Sequence, residues 1–262
     1  MENIVLCPTP DIEKACDLLE KLIHRLLEAR DTFPPLGEYE ASLEGLNLLY
    51  LMIRNVEAVI TLARKDLVFL PSAMNLTRSL FEMAMKTLWM LAPQDAFYRE
   101  VRWLAQLQTE ENYYNRISQR LGKLGVDNSN TLRIKDEISG FRLDVTKALP
   151  KPYKPISQIP DLASMMKVIN EEHKYSTYIF LSQYSHGTHV ATGTYRQGLG
   201  NEKKIGEYIS PKNWGLIFCL CWYCLAKTSE RVFEIIGGDV NLFLTNEFIQ
   251  EIQGVIQKNE TS

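Results

Sequence analysis

Apolar positions recur at three- and four-residue spacing through most of the chain, the period of helices that bury one face. Leu18, Leu19, Leu22, Ile23, Leu26 and Leu27 form such a stripe in a first helix that opens near Thr9. Pro10 suits its first turn, and Asp11 and Glu13 favour the positive end of its dipole. Pro34, Pro35 and Gly37 close the helix and make a turn. Leu46, Leu49, Ile53, Val56 and Ile60 mark a second helix over 38–65, followed by a short extended link over 66–70. The next stretch, PSAMNLTRSLFEMAMKTLWMLA over 71–92, is apolar nearly all the way round and belongs in the middle of a bundle.

Pro93 stops that helix, and Asp95 caps a long amphipathic one reaching about residue 121, with Phe97, Val101, Leu104, Leu107, Tyr114 and Ile117 on its buried side. Gly122, Gly125 and VDNSN mark a loop before a weaker helix over 131–149. The four prolines of LPKPYKPISQIP predict extended chain. Asp161 opens a helical region that breaks near Glu171 and continues over 175–189. Gly187, Gly193, Gly198, Gly200 and Gly206 predict a long loop over 187–211, the kind of segment that often carries function. Asn213 begins another very apolar helix that ends at Gly237 and Gly238, and a last helix covers 242–258. No internal repeat and no strand-period segment stands out. The expectation is an all-α bundle forming one domain over 1–262. Its core covers 38–236, helices over 9–30 and 242–258 flank it, and one irregular Gly-rich loop is inserted.

The formal net charge of −3 provides no global polycation to drive nucleic-acid binding. Charge is uneven, however. Residues 116–154 hold nine Lys or Arg and four Asp or Glu, locally +5 against −8 for the rest. Tyr113, Tyr114 and Tyr153 lie in or beside that region, and a basic surface with aromatics can hold RNA phosphates and bases. The plainer alternative is the solvated face of an amphipathic helix. Five cysteines are an odd number, and Cys219, Cys221 and Cys224 crowd into one apolar helix, so they read as small buried hydrophobes in a reducing cytosol. The opening MENIVLCPTP lacks a signal peptide's basic region, and the longest apolar run, near 214–226, is shorter than the ~18 residues that span a bilayer. A cytoplasmic, non-membrane protein is expected.

Two constellations carry candidate chemistry. Arg78 and Glu82 sit four residues apart on one face of the apolar helix. A charge there must be paired or border a polar cavity, so they form either an internal structural pair or part of a site. Tyr178, Ser182 and His186 stack at four-residue spacing near the end of a later helix, within a polar run that includes His189. His186 is a capping residue or an acid–base group. His186 and His189, with His173 and Glu82 as further donors, match no zinc motif, and no metal or cofactor is expected. No phosphate-cradling glycine loop or nucleophile elbow is present.

LTRSLFEMAMKTLWML, with Arg78 and Glu82, and YIFLSQYSHGTH, with Ser182 and His186, resemble an uncharacterised group of bacterial helical proteins. That group is similar to the HEPN superfamily (higher eukaryote and prokaryote nucleotide-binding) and to the AbiV-type abortive-infection proteins. The similarity covers roughly 43–226. It implies a helical bundle, often dimeric, with polar residues in a groove between helices, and metal-independent ribonuclease activity in toxin–antitoxin or phage-defence systems. The usual signature, an Arg and a His with four to six residues between them, is not matched before His186 or His189. The guanidinium would instead come from Arg78. The resemblance then implies catalytic roles for Arg78, Glu82 and His186 and substrate binding by Tyr178, Ser182 and His189. The partners expected are RNA or a nucleotide, an antitoxin or defence-complex protein, and a second copy of the chain. The rival is a non-catalytic interaction or scaffold subunit whose polar cluster is structural, and a weaker third reading is a metal-dependent hydrolase using His186 and His189.

Overall fold

The computed structural model describes residues 6–34, 37, 39–156, 158–198 and 204–261. It is all-α, with a minor two-stranded hairpin as the only sheet among the described residues. In chain order the helices are α1 (Pro10–Arg30), α2 (Glu40–Lys65), α3 (Leu70–Leu91), α4 (Ala96–Lys123) and α5 (Ser129–Ala148). They continue as α6 (Leu162–Val168), α7 (Tyr175–Ser185), the single turn α8 (His189–Thr192), α9 (Lys212–Ile236) and α10 (Asn246–Thr261).

The core forms where α2, α3 and α9 pack on one another, with α1 and α10 closing one side and α6 and α7 lying on α3. Leu80, Phe81, Ala84, Met85 and Met90 of α3 are fully buried, as are Met52, Val56 and Val59 of α2 and Trp214, Phe218, Cys221 and Cys224 of α9. The Trp214 indole satisfies its one polar atom by donating from Nε1 to the Leu67 carbonyl at 3.1 Å. Among the described residues, α2 is the helix long and apolar enough to cross a membrane by length and composition alone. Its apolar face is spent on α1, α3, α4 and α9.

Several boundaries follow capping chemistry that the periodicity predicted. The Thr9 hydroxyl accepts from the Ile12 amide at 3.3 Å, and the Asp95 carboxylate accepts from the Phe97 amide at 2.8 Å. Asp161 caps α6 in the same way. α6 ends before Asn170, which has φ of +59°, and the chain re-enters helix at Tyr175, so the expected break falls where Glu171 was placed.

Other expectations are corrected. Only Asp66 of the 66–70 link is extended: it accepts from the Val68 and Leu6 amides, both at 3.0 Å, and caps a 3₁₀ turn (Leu67–Phe69) that runs straight into α3. Helix does not persist to 189. It stops at Ser185, where Gly187 adopts φ of +58° and the Thr188 amide returns to the Gln183 carbonyl at 3.2 Å. The 187–211 segment holds α8, a 3₁₀ turn and an antiparallel hairpin pairing β1 (Arg196–Gln197) with β2 (Lys204–Ile205). Phe97 is only partly buried, and the neighbouring Arg99 and Glu100 are buried instead. The expected turn residue Pro35, the helix start at 38 and Gly200 lie outside the described residues.

Arg99 and Glu100 are explained by helix ends. Tyr39 offers no side-chain cap to α2, and Glu100 Oε1 accepts the Ala41 amide at 2.8 Å in its place. The C-terminus of α3 is buried, and three guanidiniums serve its carbonyls. Arg231 donates to Leu91 and Ala92, Arg99 to Pro93 and Gln94, and Arg102 to Trp89. Burial and the nearby Arg231 charge pull the Arg99 pKa down.

Candidate functional site

α3 presents one polar line to α7. Arg78 donates from Nε to Ser182 Oγ and from Nη2 to Tyr178 Oη, both at 3.0 Å. The residues that meet are about a hundred positions apart in the chain, and helical spacing explains why they meet together. Tyr178 and Ser182 share a face of α7, and the guanidinium fork spans one turn of it. The Ser182 hydroxyl donates to the Tyr178 carbonyl at 2.8 Å, leaving its lone pair for Arg78. Behind the phenol, the Tyr178 ring stacks with Tyr175 at 5.9 Å and with the fully buried Phe81 at 6.5 Å. Arg78 Cζ lies 5.2 Å from the Tyr178 ring centroid, near enough for a cation–π contribution.

Charge along the line is nearly balanced. Glu82 Oε2 is 3.7 Å from Arg78 Nη2, a loose pair, whereas Glu82 Oε1 accepts from Lys86 Nζ at 2.8 Å. The side chains of Arg78 and Glu82 are 26% and 29% exposed, so the pair borders solvent and is not sealed in the core. Arg78 Nη1 has no hydrogen bond among the described residues. One turn toward the end of α7, the Ser185 hydroxyl donates to Asn75 Oδ1 at 2.8 Å and extends the seam.

The fold therefore brings together Arg78, Glu82, Tyr178 and Ser182. His186 caps α7 one turn beyond Ser182; its ring is exposed and makes no hydrogen bond or ion pair among the described residues. His189 opens α8 and is engaged elsewhere, with Nδ1 2.8 Å from Arg196 Nη2. A guanidinium there repels a metal cation, and among the described residues no group of three His, Cys, Asp or Glu side chains is placed to hold one. His173 lies beside Lys174 and Glu171, not with the other two histidines. Three participants escaped sequence reasoning: Lys86, Asn75 and Ser185. Each was reachable, since Lys86 is four residues after Glu82, Asn75 three before Arg78 and Ser185 three after Ser182.

Of the three clustered cysteines, Cys221 and Cys224 are fully buried, and burial pushes the Cys221 thiol up to about 12. They are packing residues, as is Cys16 in α1. A cleft of about 370 Å³ opens away from the seam, between the C-terminal end of α3, the turn at Ile169 to Glu171, and Arg231 of α9. Its charged groups are already spent: Lys227 pairs with Glu230 and Arg231 with Glu234, each at 3.0 Å.

Neither the curated proteins nor the solved structures include a match to this chain. A family model described as a family of unknown function (DUF5677) matches residues 45–204, a span running from α2 through the seam residues and into the irregular insertion. That span exceeds half of the 262 residues, and the chain belongs to this family.

Proposed function

We propose that this chain is a HEPN-like RNA- or nucleotide-binding protein of a bacterial defence or toxin-type system, and that its working site is the α3–α7 seam. The observation that carries this reading is Arg78: a guanidinium about a quarter exposed on an otherwise greasy helix, held across to two hydroxyls of α7, with its Nη1 amino group left to offer a ligand. A fixed guanidinium suits a phosphate, because its planar donor fork matches two phosphate oxygens. His186, exposed one turn beyond, is the acid–base group. In cleavage it takes the proton from a ribose 2′-hydroxyl. The 2′-oxygen then attacks phosphorus, the bond to the 5′-oxygen breaks, and the leaving 5′-oxygen takes up a proton from water while His186 returns its own proton to solvent. The products are a 2′,3′-cyclic phosphate and a free 5′-hydroxyl. Arg78 stabilises charge on the phosphate, Glu82 and Lys86 set the local field, and Tyr178 and Ser182 hold Arg78 in place.

The test is RNA cleavage by the purified full chain in the presence of a chelator. His186→Ala is expected to lower the rate by roughly 10²–10⁴ while the fold is retained. Arg78→Lys is expected to lose most activity too, since a point charge cannot replace the fork. Equal rates for wild type and His186→Ala would refute the catalytic reading.

One observation favours a second reading. Two of the three donor groups of Arg78 are already used by Ser182 and Tyr178, as in a network that fixes the packing of two helices. In that case the chain is an interaction or scaffold subunit, wild type cleaves nothing, and seam variants lose stability instead.

A further inference from the structure

The distal part of α4 folds back on α5 as a helical hairpin, and α5 packs chiefly on α4. No residue of α5 is buried. Most cations of this arm are neutralised within it. Arg133 pairs with Glu137 at 2.6 Å, Lys135 with Asp136 at 3.0 Å, Arg142 with Glu111 at 2.9 Å and Lys147 with Asp144 at 3.1 Å.

Arg116, Arg120 and Lys123 of α4 differ. All are exposed, and none has an ion-pair partner among the described residues. Their spacing of four and three puts them on one face, spanning roughly 10 Å of helix at 1.5 Å per residue. Tyr113 extends the same face by one turn and is 53% exposed, with its ring held edge-on by Tyr114 at 5.6 Å. Gln119 flanks the stripe and is exposed. Arg116 and Arg120 repel each other at this spacing, and no carboxylate on the face relieves them. A face that served only solvation would be balanced, as the rest of the arm is.

We infer that this face of α4, built from Tyr113, Arg116, Arg120 and Lys123, is a contact surface for the phosphate backbone of single-stranded RNA. Arg, Lys, Gln and Tyr are the side chains that donate to phosphate oxygens, and an exposed tyrosine offers a stacking plane indifferent to base identity. Tyr and Arg also anchor protein interfaces, but a row of three unneutralised cations is complementary to a polyanion, and the oligomeric-state readout below separates the two occupants. The assignment extends the RNA reading of the seam but stands on different residues.

The test is fluorescence anisotropy of the full chain with a labelled single-stranded RNA of roughly 16 nucleotides, the upper end of a single-strand site. Affinity is followed between about 50 and 200 mM salt. The triple variant Arg116→Gln, Arg120→Gln, Lys123→Gln is expected to bind at least about tenfold more weakly, and its salt slope should flatten by about 2, three contacts at roughly 0.7 each. The matching triple Arg116→Lys, Arg120→Lys and Lys123→Arg keeps the charge and should retain both. His186→Ala should bind with the wild-type slope even if it has lost cleavage, so the arm and the seam fail separately. A neutralised triple with wild-type affinity and slope overturns the inference. So does a triple whose oligomeric state changes while its RNA affinity does not, which assigns the face to a protein contact. Failure of the wild type to bind RNA at about 100 μM, the weak end of non-specific binding, overturns it as well.

Discussion

Replacing Tyr178 by Phe removes one oxygen from the seam and leaves the ring, so it isolates the contribution of a single hydrogen bond. The phenol accepts from Arg78 Nη2 at 3.0 Å, while the stacking on Tyr175 and Phe81 survives the change. A hydrogen bond to a charged group contributes about 1.5–3 kcal/mol when buried. Arg78 is about a quarter exposed, so water can replace part of that bond, and the expected cost is about 1–2 kcal/mol. Ser182→Ala removes the Nε acceptor at 3.0 Å and should cost about 1 kcal/mol. Arg78→Ala loses both bonds together with the loose Glu82 contact at 3.7 Å, which itself adds little, for a total of about 2–4 kcal/mol. In a domain of this size that lowers Tm by roughly 5–15 °C. The assay is denaturant unfolding of the wild type, the single variants and the pairwise doubles. The Arg78–Tyr178 coupling should be about 1 kcal/mol, and a value within about 0.3 kcal/mol of zero would mean that the guanidinium does not bridge the helices. His186→Ala removes no contact among the described residues and should lie within about 0.5 kcal/mol of wild type, which makes it the cleaner probe of activity.

Glu100 gives a prediction with a defined pH sign. Burial raises its pKa although the Ala41 amide bond acts the other way, so this residue favours the folded state most at low pH and loses that contribution as pH rises through its folded pKa. Glu100→Gln keeps an acceptor for the amide and should flatten this dependence near neutral cost, whereas Glu100→Ala leaves the amide unsatisfied and should cost about 1–3 kcal/mol by equilibrium unfolding. Thiol titration of the native protein should label Cys7 fast and leave Cys16, Cys221 and Cys224 unreacted until the chain unfolds. Gly187→Ala places a side chain at φ of +58° in open space and should cost about 1–2 kcal/mol, measured by thermal unfolding, without moving the seam.

Helical periodicity made most of the fold readable in advance, because a 3.6-residue stripe has few alternatives in a long apolar segment. The bounds of α1 and α3 follow Thr9, Pro71 and Pro93, residues whose backbone chemistry acts locally. What stayed hidden was long-range satisfaction of helix ends. Arg99 and Glu100 look like the solvated side of an amphipathic helix, yet they are buried because α3 and α2 end beside them and need donors and an acceptor. The 66–70 turn was missed for a related reason: Asp66 binds an amide sixty residues earlier as well as its own 3₁₀ turn. At the site, the pairing of Arg78 with Tyr178 and Ser182 was suggested by charge on an apolar helix and by helical stacking on a polar one. That His189 would be taken by Arg196 could not be read in advance, since the hairpin that holds Arg196 gives no strand-period signal.

The central claim is that a phosphate seated by Arg78 comes within reach of His186. The chain has only four histidines, so histidine-selective NMR resolves each ring. Titration with a mononucleotide should move the His186 ring resonance saturably, leave His24 still, and require a much higher ligand concentration in Arg78→Lys. A His186 resonance that does not move, or one that moves equally in Arg78→Lys, would contradict the account.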